Sequence, residues 1–273
     1  MPESFELHRQ RRGLFASDVD AYEQGRPGYP AEIYQRLQRI CGLTEATTLL
    51  EIGPGTGQAT GRLLDLGAAV TAVELSGEMC ARLEVKFAGR RLTVVSGPFE
   101  EVELPLASFD LVVSATAFHW VPPGGHDRAA SLLRPGGWLA LWWNVFGDPT
   151  SRDPFDEALQ PILERIAPEV RDAPGSATAV AGAHHHALDV AARIAEIDAS
   201  SRFGPVYHET ISWTGRHSPA DIRSLFATFS PWLALDSATR QRLLDELERL
   251  AAEQFGTVER RYLTPIYLAR RLG

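Results

Sequence analysis

The chain has 273 residues, of which 44% are hydrophobic and 23% charged, and its formal net charge is −8. This balance is typical of a globular protein with one large core, and the negative charge argues against a nucleic-acid surface, which would gain affinity by neutralising phosphates. Cys41 and Cys80 are too few for a disulfide framework or a four-cysteine zinc site. We expect a cytoplasmic protein without a membrane span, because no apolar run is long enough.

Residues 1–46 precede the main pattern of strands and contain the stretch DAYEQGRPGYP. The chain begins with charged residues where a secretory signal would need an apolar core. Two prolines, Pro27 and Pro30, mark the point at which we predict a helix to begin. We therefore predict an N-terminal helical segment over 1–46.

From Thr47 to Asn144 short apolar strands alternate with helical segments. The strands read TLLEI, AAVTAVEL, RLTVVSG, FDLVVSATA and WLALWWN. Strands that are nearly continuous in apolar residues and separated by helices indicate a parallel sheet covered on both faces. The predicted fold class is α/β, with a doubly wound and mostly parallel sheet.

A glycine-rich turn, GPGTGQ, follows the first strand. Such a turn lets a ligand approach the backbone closely. The dinucleotide fingerprint G-x-G-x-x-G/A fails here because Gln58 stands at its third small position, and no lysine follows as it would in a P-loop. The pattern is instead Glu51-x-Gly53-x-Gly55-x-Gly57. An NAD(P)-dependent oxidoreductase is disfavoured but stays open as an alternative.

The acidic residue followed by G-x-G-x-G resembles the class I S-adenosylmethionine (SAM)-dependent methyltransferases. This resemblance implies a Rossmann-like fold and an in-line transfer of the methyl group of SAM, with S-adenosylhomocysteine as product. A carboxylate beside the turn suits the ammonium and sulfonium of SAM and would repel a pyrophosphate. A protein that binds SAM without transferring its methyl group is a further alternative, and the acceptor, an O-, N- or C-nucleophile, is not determined.

The ends of the next strands supply further candidate cofactor contacts. Glu74 closes the second strand, where a carboxylate can accept both hydroxyls of a ribose in either cofactor, although it could also only cap the next helix. The resemblance puts the adenine contacts in SGPFEE, where Phe99 packs on the purine or is an ordinary core aromatic. With the glycine turn, the expected cofactor residues are Glu51, Gly53, Pro54, Gly55, Gly57, Gln58, Glu74, Leu75, Gly97, Pro98, Phe99, Glu100, Ser114, Ala115 and Thr116.

The motif Y-x-x-x-R-P-x-Y-P of the N-terminal segment resembles that of a small-molecule group, the trans-aconitate methyltransferases. Its residues here are Tyr22, Arg26, Pro27, Tyr29 and Pro30. The resemblance implies that Arg26 reaches the methionyl carboxylate of SAM and that Tyr22 covers the cofactor. Alternatively, Arg26 only ties the segment to the core.

His119, just beyond the fourth strand, is the titratable group best placed for a general base. If the acceptor is a carboxylate, no base is needed, and His119 lines the pocket or is structural. Strand alternation sends Trp142 and Trp143 to opposite faces, so at most one of them lines an acceptor pocket. The predicted acceptor pocket comprises Tyr29, His119, Trp120, Trp143 and Asn144.

Three consecutive histidines, His184, His185 and His186, cannot all face one metal ion on a helix, and no carboxylate or cysteine stands at ligand spacing. We therefore expect no metal site, and the role of these histidines stays open.

Residues 150–202 interrupt the strand pattern with helical and breaker-rich stretches. We predict a helical insertion that acts as a lid, with Phe155, Leu159 and Ile162 facing the cofactor cleft. Residues 203–273 contain two strand patterns that would complete a seven-stranded sheet. The four arginines near the C-terminus, Arg260, Arg261, Arg270 and Arg271, are expected on the solvated face of the last strand.

The predicted organisation is one methyltransferase domain over 1–273. Its parts are cofactor-covering helices at 1–46, a SAM-binding core at 47–147, the lid at 150–202 and the strands and helices of 203–273. We expect a monomer or homodimer that acts on a small molecule, without a nucleic-acid or membrane partner.

Overall fold

The computed structural model describes residues 19–148, 151, 153–171 and 185–273. Within these residues the strands are β1 (Thr48–Ile52), β2 (Ala69–Glu74), β3 (Leu92–Ser96), β4 (Phe109–Ala115), β5 (Leu133–Trp142), β6 (Val145–Phe146), β7 (Tyr207–His217) and β8 (Val258–Arg270). The helices are α1 (Val19–Gly25), α2 (Ala31–Cys41), α3 (Thr60–Asp65), α4 (Gly77–Lys86), α5 (Gly125–Leu132), α6 (Pro154–Ile166), α7 (Pro168–Arg171), α8 (Val190–Asp198), α9 (Pro219–Ala227), α10 (Ser230–Leu233) and α11 (Ser237–Gln254). Short 3-10 helices span Phe118–Trp120 and His186–Leu188.

The strands form one sheet in the order β3-β2-β1-β4-β5-β8-β6, with β7 also paired to β8. Strands β1 to β5 are parallel, and β8 is antiparallel to β5, β6 and β7. The predicted doubly wound, mostly parallel sheet is confirmed, and the structure adds the two-residue strand β6. The strand order runs from β1 to β3 towards one edge of the sheet and from β4 to β5 towards the other. Ligands of open α/β sheets bind at the carboxyl ends of the strands where the order switches in this way, here β1 and β4.

Both faces of the sheet are covered, as the apolar strands predict. Leu49 and Trp142 belong to the core cluster that includes Ile33 and Leu37 of α2, whereas Trp143 belongs to the cluster on the other face. The opposite directions of the two neighbouring tryptophans follow from the two-residue period of a strand.

A third cluster of buried residues lies outside the sheet layers. We call the helices α1, α6, α7, α9, α10 and α11 the cap; side chains of α6, α7 and α9 to α11 form this cluster, and α1 packs against α9. Phe155 and Leu159 are buried within the cluster and Ile162 packs against it. The prediction that these three residues face the cofactor cleft is therefore wrong, because the apolar side of α6 is covered by helices that come much later in the chain.

The insertion over 150–202 does not form one layer in the described residues. Helix α6 belongs to the cap, whereas Val190, Ile194 and Ile197 of α8 pack on the second face of the sheet. His184 lies outside the described residues. No described helix is long and apolar enough to cross a bilayer.

Arg260 corrects the expectation of a solvated arginine row on the last strand. Its side chain is 2% exposed, forms two hydrogen bonds of 2.7 and 3.0 Å with Asp156 and lies 3.2 Å from a carboxylate oxygen of Asp153. The aromatic rings of Phe155 and Phe226 flank the guanidinium. The cap covers this part of β8, so the face of the strand that carries Arg260 is buried and not solvated. Arg261, the next residue, has a side chain that is 53% exposed.

Candidate functional site

The glycine turn leads from β1 towards α3 in a backbone conformation that residues with a side chain rarely adopt. Gly53 and Gly57 have φ of 66° and 88°, in the left-handed region. A Cβ on Gly53 would lie 2.6 Å from the Cβ of Ala117, and one on Gly57 would lie 2.5 Å from the ring of Phe87. Gly57 is thus required for packing against α4, while Gly53 and Pro54 line a cavity.

Glu74 lies at the end of β2 and is held by the turn next to it. Its carboxylate accepts hydrogen bonds from the backbone N–H groups of Gly55, at 3.0 Å, and Ser76, at 2.9 Å. Burial raises the pKa of Glu74, although hydrogen bonds from the backbone at residues 76, 55 and 75 act in the opposite direction. Each carboxylate oxygen keeps acceptor capacity, so Glu74 can bind a diol.

Glu51 is 1% exposed and is not among the residues that line the cavity. Its carboxylate accepts a 2.7 Å hydrogen bond from the hydroxyl of Thr60. Burial raises the pKa of Glu51 to about 7, with a further increase from Glu74 and a partial offset from Thr60. In this structure Glu51 therefore supports the first turn of α3 from within the core. Its place beside the glycine turn in the sequence does not indicate this role.

The end of β3 forms a tight turn that an arginine holds. Gly97 donates its N–H to the carbonyl of Glu74 at 2.9 Å, and Pro98, Phe99 and Glu100 follow. Phe99 is 4% exposed and belongs to the second core cluster. The guanidinium of Arg128 lies over the ring of Phe99 and donates a 2.6 Å hydrogen bond to its carbonyl. Arg128 could not be predicted from the sequence as part of this turn, because nothing in α5 indicates which loop it meets.

The end of β4 contains one link between strands and two residues of the cavity wall. Ser114 is fully buried and donates to the carbonyl of Ile52, so it joins β4 to β1. Ala115 and Thr116 line the cavity. Thr116 has φ of 58°, an uncommon value for a β-branched residue and a mark of backbone strain. Its hydroxyl lies 3.1 Å from the hydroxyl of Tyr29.

Tyr22 covers the glycine turn, and Arg26 lies beside it in the cavity wall. The ring of Tyr22 lies next to Gly55, since a Cβ there would be 3.5 Å from it. Arg26 lies among the rings of Tyr22, Phe146 and Phe229, and its Nη2 donates to the carbonyl of Thr228 at 2.9 Å. Its Nε is buried without a hydrogen-bond partner. Burial lowers the pKa of Arg26, and its contacts within the described residues include no carboxylate.

These groups surround a cavity at the carboxyl ends of β1 and β4. The lining residues are Tyr22, Arg26, Pro27, Tyr29, Gly53, Pro54, Gln58, Ala59, Ala115, Thr116, Ala117, Asn144 and Phe146. The glycine turn forms one side, the N-terminal segment forms another, and the residues that follow β4 and β5 complete the wall. The lining supplies a cation, hydroxyls and amides, with neither a carboxylate nor a histidine among these residues.

The other predicted acceptor residues lie elsewhere. Tyr29 and Asn144 line the cavity, but His119, Trp120 and Trp143 do not. Trp143 belongs to the cluster on the second face, and its Nε1 donates to Nδ1 of His119 at 3.2 Å. The rings of Trp120 and His186 pack against His119. Burial lowers the pKa of His186 to about 3, and the charges of His185 and Arg193 have smaller effects in the same direction.

The chain matches known methyltransferases in sequence and structure. Residues 50–141 match the family model described as a methyltransferase domain. A protein of Mycobacterium tuberculosis named an uncharacterized methyltransferase is 32% identical over 240 residues, which cover 87% of this chain and 85% of the relative. This chain therefore belongs to the methyltransferase family.

Solved structures share the fold at lower identity. A putative type II methyltransferase of Anaeromyxobacter dehalogenans is similar with a TM-score of 0.59 and 22% identity, covering 90% of this chain and 98% of that one. A phosphoethanolamine N-methyltransferase of Haemonchus contortus in complex with SAM has a TM-score of 0.56 and 16% identity, covering 99% and 60%. Because the chain belongs to the methyltransferase family, the alternative of a dinucleotide-dependent oxidoreductase is set aside.

Proposed function

We propose that SAM binds along the carboxyl ends of β1, β2 and β3 and that its methyl group is transferred to a small organic acceptor in the cavity beside Thr116. The observation that supports this most directly is the position of the cavity. It adjoins the glycine turn on one side and the ends of β4 and β5 on the other, at the point in an open α/β sheet where ligands bind. Methyl transfer requires chiefly that acceptor, methyl carbon and sulfur are aligned.

In this proposal Glu74 binds the ribose hydroxyls, because its carboxylate is fixed by two backbone N–H groups. Gly53, Pro54, Gly55 and Gln58 contact the methionyl part, while Leu75 and the turn from Gly97 to Glu100 surround the adenine. Phe99 would present an edge to the purine, since Arg128 lies over its ring. Residues Ser114 to Thr116 bound the far side, with Ser114 acting through the strand pairing rather than by contact.

Arg26 binds the methionyl carboxylate, with Tyr22 as the cover of the turn. A buried guanidinium without a carboxylate partner is costly, and an anionic ligand offsets that cost through a charge-assisted hydrogen bond. The free donor is Nε, which is buried without a partner. The three aromatic rings around Arg26 favour the cation and keep it in place.

The acceptor needs no general base from the cavity wall. The lining residues include neither a carboxylate nor a histidine, and burial holds the pKa of Tyr29 above its ordinary value, so its phenol stays protonated at neutral pH. An acceptor that carries its own nucleophilic lone pair at neutral pH fits this wall. The proposal of a trans-aconitate-like group is compatible with it, because Tyr22, Arg26, Pro27 and Tyr29 of the shared motif meet at the cavity.

In this proposal His119 is not a general base, because it does not line the cavity and its Nδ1 accepts a hydrogen bond from Trp143. An indole N–H can only donate, so the hydrogen bond from Trp143 requires a lone pair on Nδ1, and the neutral imidazole then carries its proton on Nε2. A general base contributes roughly 10² to 10⁴-fold in rate. We expect His119→Gln to lower kcat by less than about tenfold and to leave its pH profile unchanged; a larger loss with a shifted profile would restore His119 as the base.

Ligand binding and turnover test the proposal together. We expect S-adenosylhomocysteine to bind with micromolar affinity, roughly 8 kcal/mol, in calorimetry, whereas NAD and NADP should not compete. Transfer of labelled methyl groups from SAM is then measured with panels of small carboxylates, amines and phenols. Binding of NAD with equal affinity would contradict the assignment of the site. Binding of SAM without transfer to any acceptor in the panels would favour the alternative of a binding protein.

A further inference from the structure

A row of side-chain hydrogen bonds runs from β7 to the N-terminal segment. Trp213 Nε1 donates to Thr264 Oγ1 at 2.8 Å, and Thr264 Oγ1 donates to Asn144 Oδ1 at 2.8 Å. Asn144 Nδ2 then donates to the carbonyl of Gly28 at 3.0 Å. Thr264 is fully buried and Asn144 is 4% exposed. The row therefore joins parts of the chain that are distant in sequence; its two middle members are shielded from water, whereas Gly28 at its end is exposed.

The direction of these hydrogen bonds is fixed by the groups at the two ends. The indole N–H of Trp213 can only donate and the carbonyl of Gly28 can only accept. The hydroxyl of Thr264 must therefore use its proton on Asn144, and the amide of Asn144 must turn its oxygen to Thr264 and its nitrogen to Gly28. An aspartate at 144 could accept from Thr264 but could not donate to Gly28.

The contact with Gly28 lies between two residues of the cavity wall. Arg26 and Pro27 precede Gly28 and Tyr29 follows it, and all three line the cavity. The backbone N–H of Asn144 also donates to the hydroxyl of Thr116, which lies 3.1 Å from the hydroxyl of Tyr29. Asn144 thus contacts the N-terminal segment directly at Gly28 and, through Thr116, at Tyr29.

The sheet does not depend on these side chains for its pairing. Asn144 comes after the last residue of β5, Trp142, and Thr264 pairs with Ile211 through the backbone of β7 and β8. The hydrogen bonds of the row are therefore additional to the strand ladder and end at the ligand-facing segment.

We propose that Thr264 and Asn144 are positioning residues that hold the carbonyl of Gly28 and thereby aim the guanidinium of Arg26 at the methionyl carboxylate of SAM. This inference rests on the proposed function of Arg26. It gives Asn144, which also lines the cavity, the role of supporting the N-terminal segment. Trp213 fixes the far end of the row by occupying a lone pair of Thr264.

The test compares SAM with decarboxylated SAM, which lacks only the carboxylate, in calorimetry. In the wild type SAM should bind about tenfold more tightly or better, the value of one charged hydrogen bond. Asn144→Asp should remove most of this preference while changing the affinity for decarboxylated SAM by less than about twofold. Arg26→Gln should do the same. Thr264→Val should remove part of the preference, and Thr264→Ser, which keeps the hydroxyl, should restore it.

A merely structural role would weaken both ligands alike and leave their ratio unchanged, and that result in Asn144→Asp and Thr264→Val overturns the inference. Thermal unfolding of each variant identifies loss of the fold, and Thr264→Val decides the question if Asn144→Asp does not fold. If Arg26→Gln leaves the ratio unchanged, the role of Arg26 under the proposed function is wrong and this inference falls with it. If the wild type binds neither ligand, the proposed SAM site itself is wrong.

Discussion

The floor and the roof of the site are built in different ways. The floor is the glycine turn with Glu74, and it comes from one continuous stretch, residues 51–74. The roof comprises Tyr22, Arg26, Phe146 and Phe229, and the hydrogen bond from Arg26 to Thr228 joins residues 202 positions apart. The floor is shaped by backbone conformation, whereas the roof is shaped by side-chain packing on the cap.

This difference predicts different responses to mutation. The floor tolerates little change at individual positions, because Gly53 and Gly57 have no room for a Cβ. The roof depends on the stability of the cap, because Phe229 belongs to its buried cluster and α1 packs against α9. Mutations in the cap should therefore affect the site by destabilising the fold. Mutations in the floor should affect it by changing contacts with the ligand.

The largest expected effect is on the cap. Arg260→Met leaves the carboxylates of Asp153 and Asp156, whose side chains are only 13% and 18% exposed, without their buried cation, which should lower the free energy of unfolding by about 3 kcal/mol. Arg261→Met is the matched control on the exposed side of β8 and should change stability by less than about 0.5 kcal/mol. Denaturant unfolding measures both. Equal stability of Arg260→Met and the control would show that the cap does not depend on this ion pair.

The buried carboxyl group of Glu51 in the floor should make the stability of the protein depend on pH. Because burial raises the folded pKa of Glu51 to about 7 from its ordinary value of 4.5, the folded state retains a proton that the unfolded state releases, and stability falls as pH rises through this window. The loss amounts to roughly 3 kcal/mol for one group. Glu51→Gln keeps an acceptor for Thr60 and should remove this slope in the ligand-free protein. Parallel stability curves for wild type and variant between pH 4.5 and 7 would contradict the raised pKa.

Glu74→Ala should affect the ligand more than the fold. Two ribose hydroxyls would lose a charged acceptor, so the affinity for S-adenosylhomocysteine should fall by about 1 to 3 kcal/mol in calorimetry. Glu84→Ala, at an exposed position on α4, is the control and should bind as the wild type does. An unchanged affinity in Glu74→Ala would remove Glu74 from the site.

The smallest expected effect lies beside the site, at an ion pair between α1 and α4, where Lys86 also donates to the carbonyl of Thr56 in the floor. Glu23 of α1 pairs with Lys86 of α4 at 2.8 Å and lies 3.5 Å from Arg82, in partly exposed positions. Glu23→Gln should weaken SAM binding by less than about 1 kcal/mol and reduce the effect of added salt on that binding. Glu32→Gln, exposed on α2, serves as control. Salt dependence that is equal in both variants would show that this contact does not hold the roof.

Much of the fold could be predicted from local patterns. The alternation of strands and helices predicted β1 to β5, and α6 lies within the helical insertion predicted at 150–202. The predicted faces of Trp142 and Trp143 were confirmed, because the two-residue period depends only on neighbours along the strand. The roles of individual site residues stay predictions, and the experiments above test them.

The sequence by itself determined the sheet, the glycine turn and the position of Glu74 at a strand end, because backbone conformation and strand periodicity depend on residues within a few positions. Only the tertiary structure decided that Arg260 is buried, that the apolar side of α6 faces the cap, and that His119 is bound by Trp143 away from the cavity. Only it placed Arg26 among Phe146 and Phe229 and connected Asn144 to Gly28. Burial and hydrogen-bond partners are set by segments that meet across long sequence distances, and no local pattern specifies which segments those are.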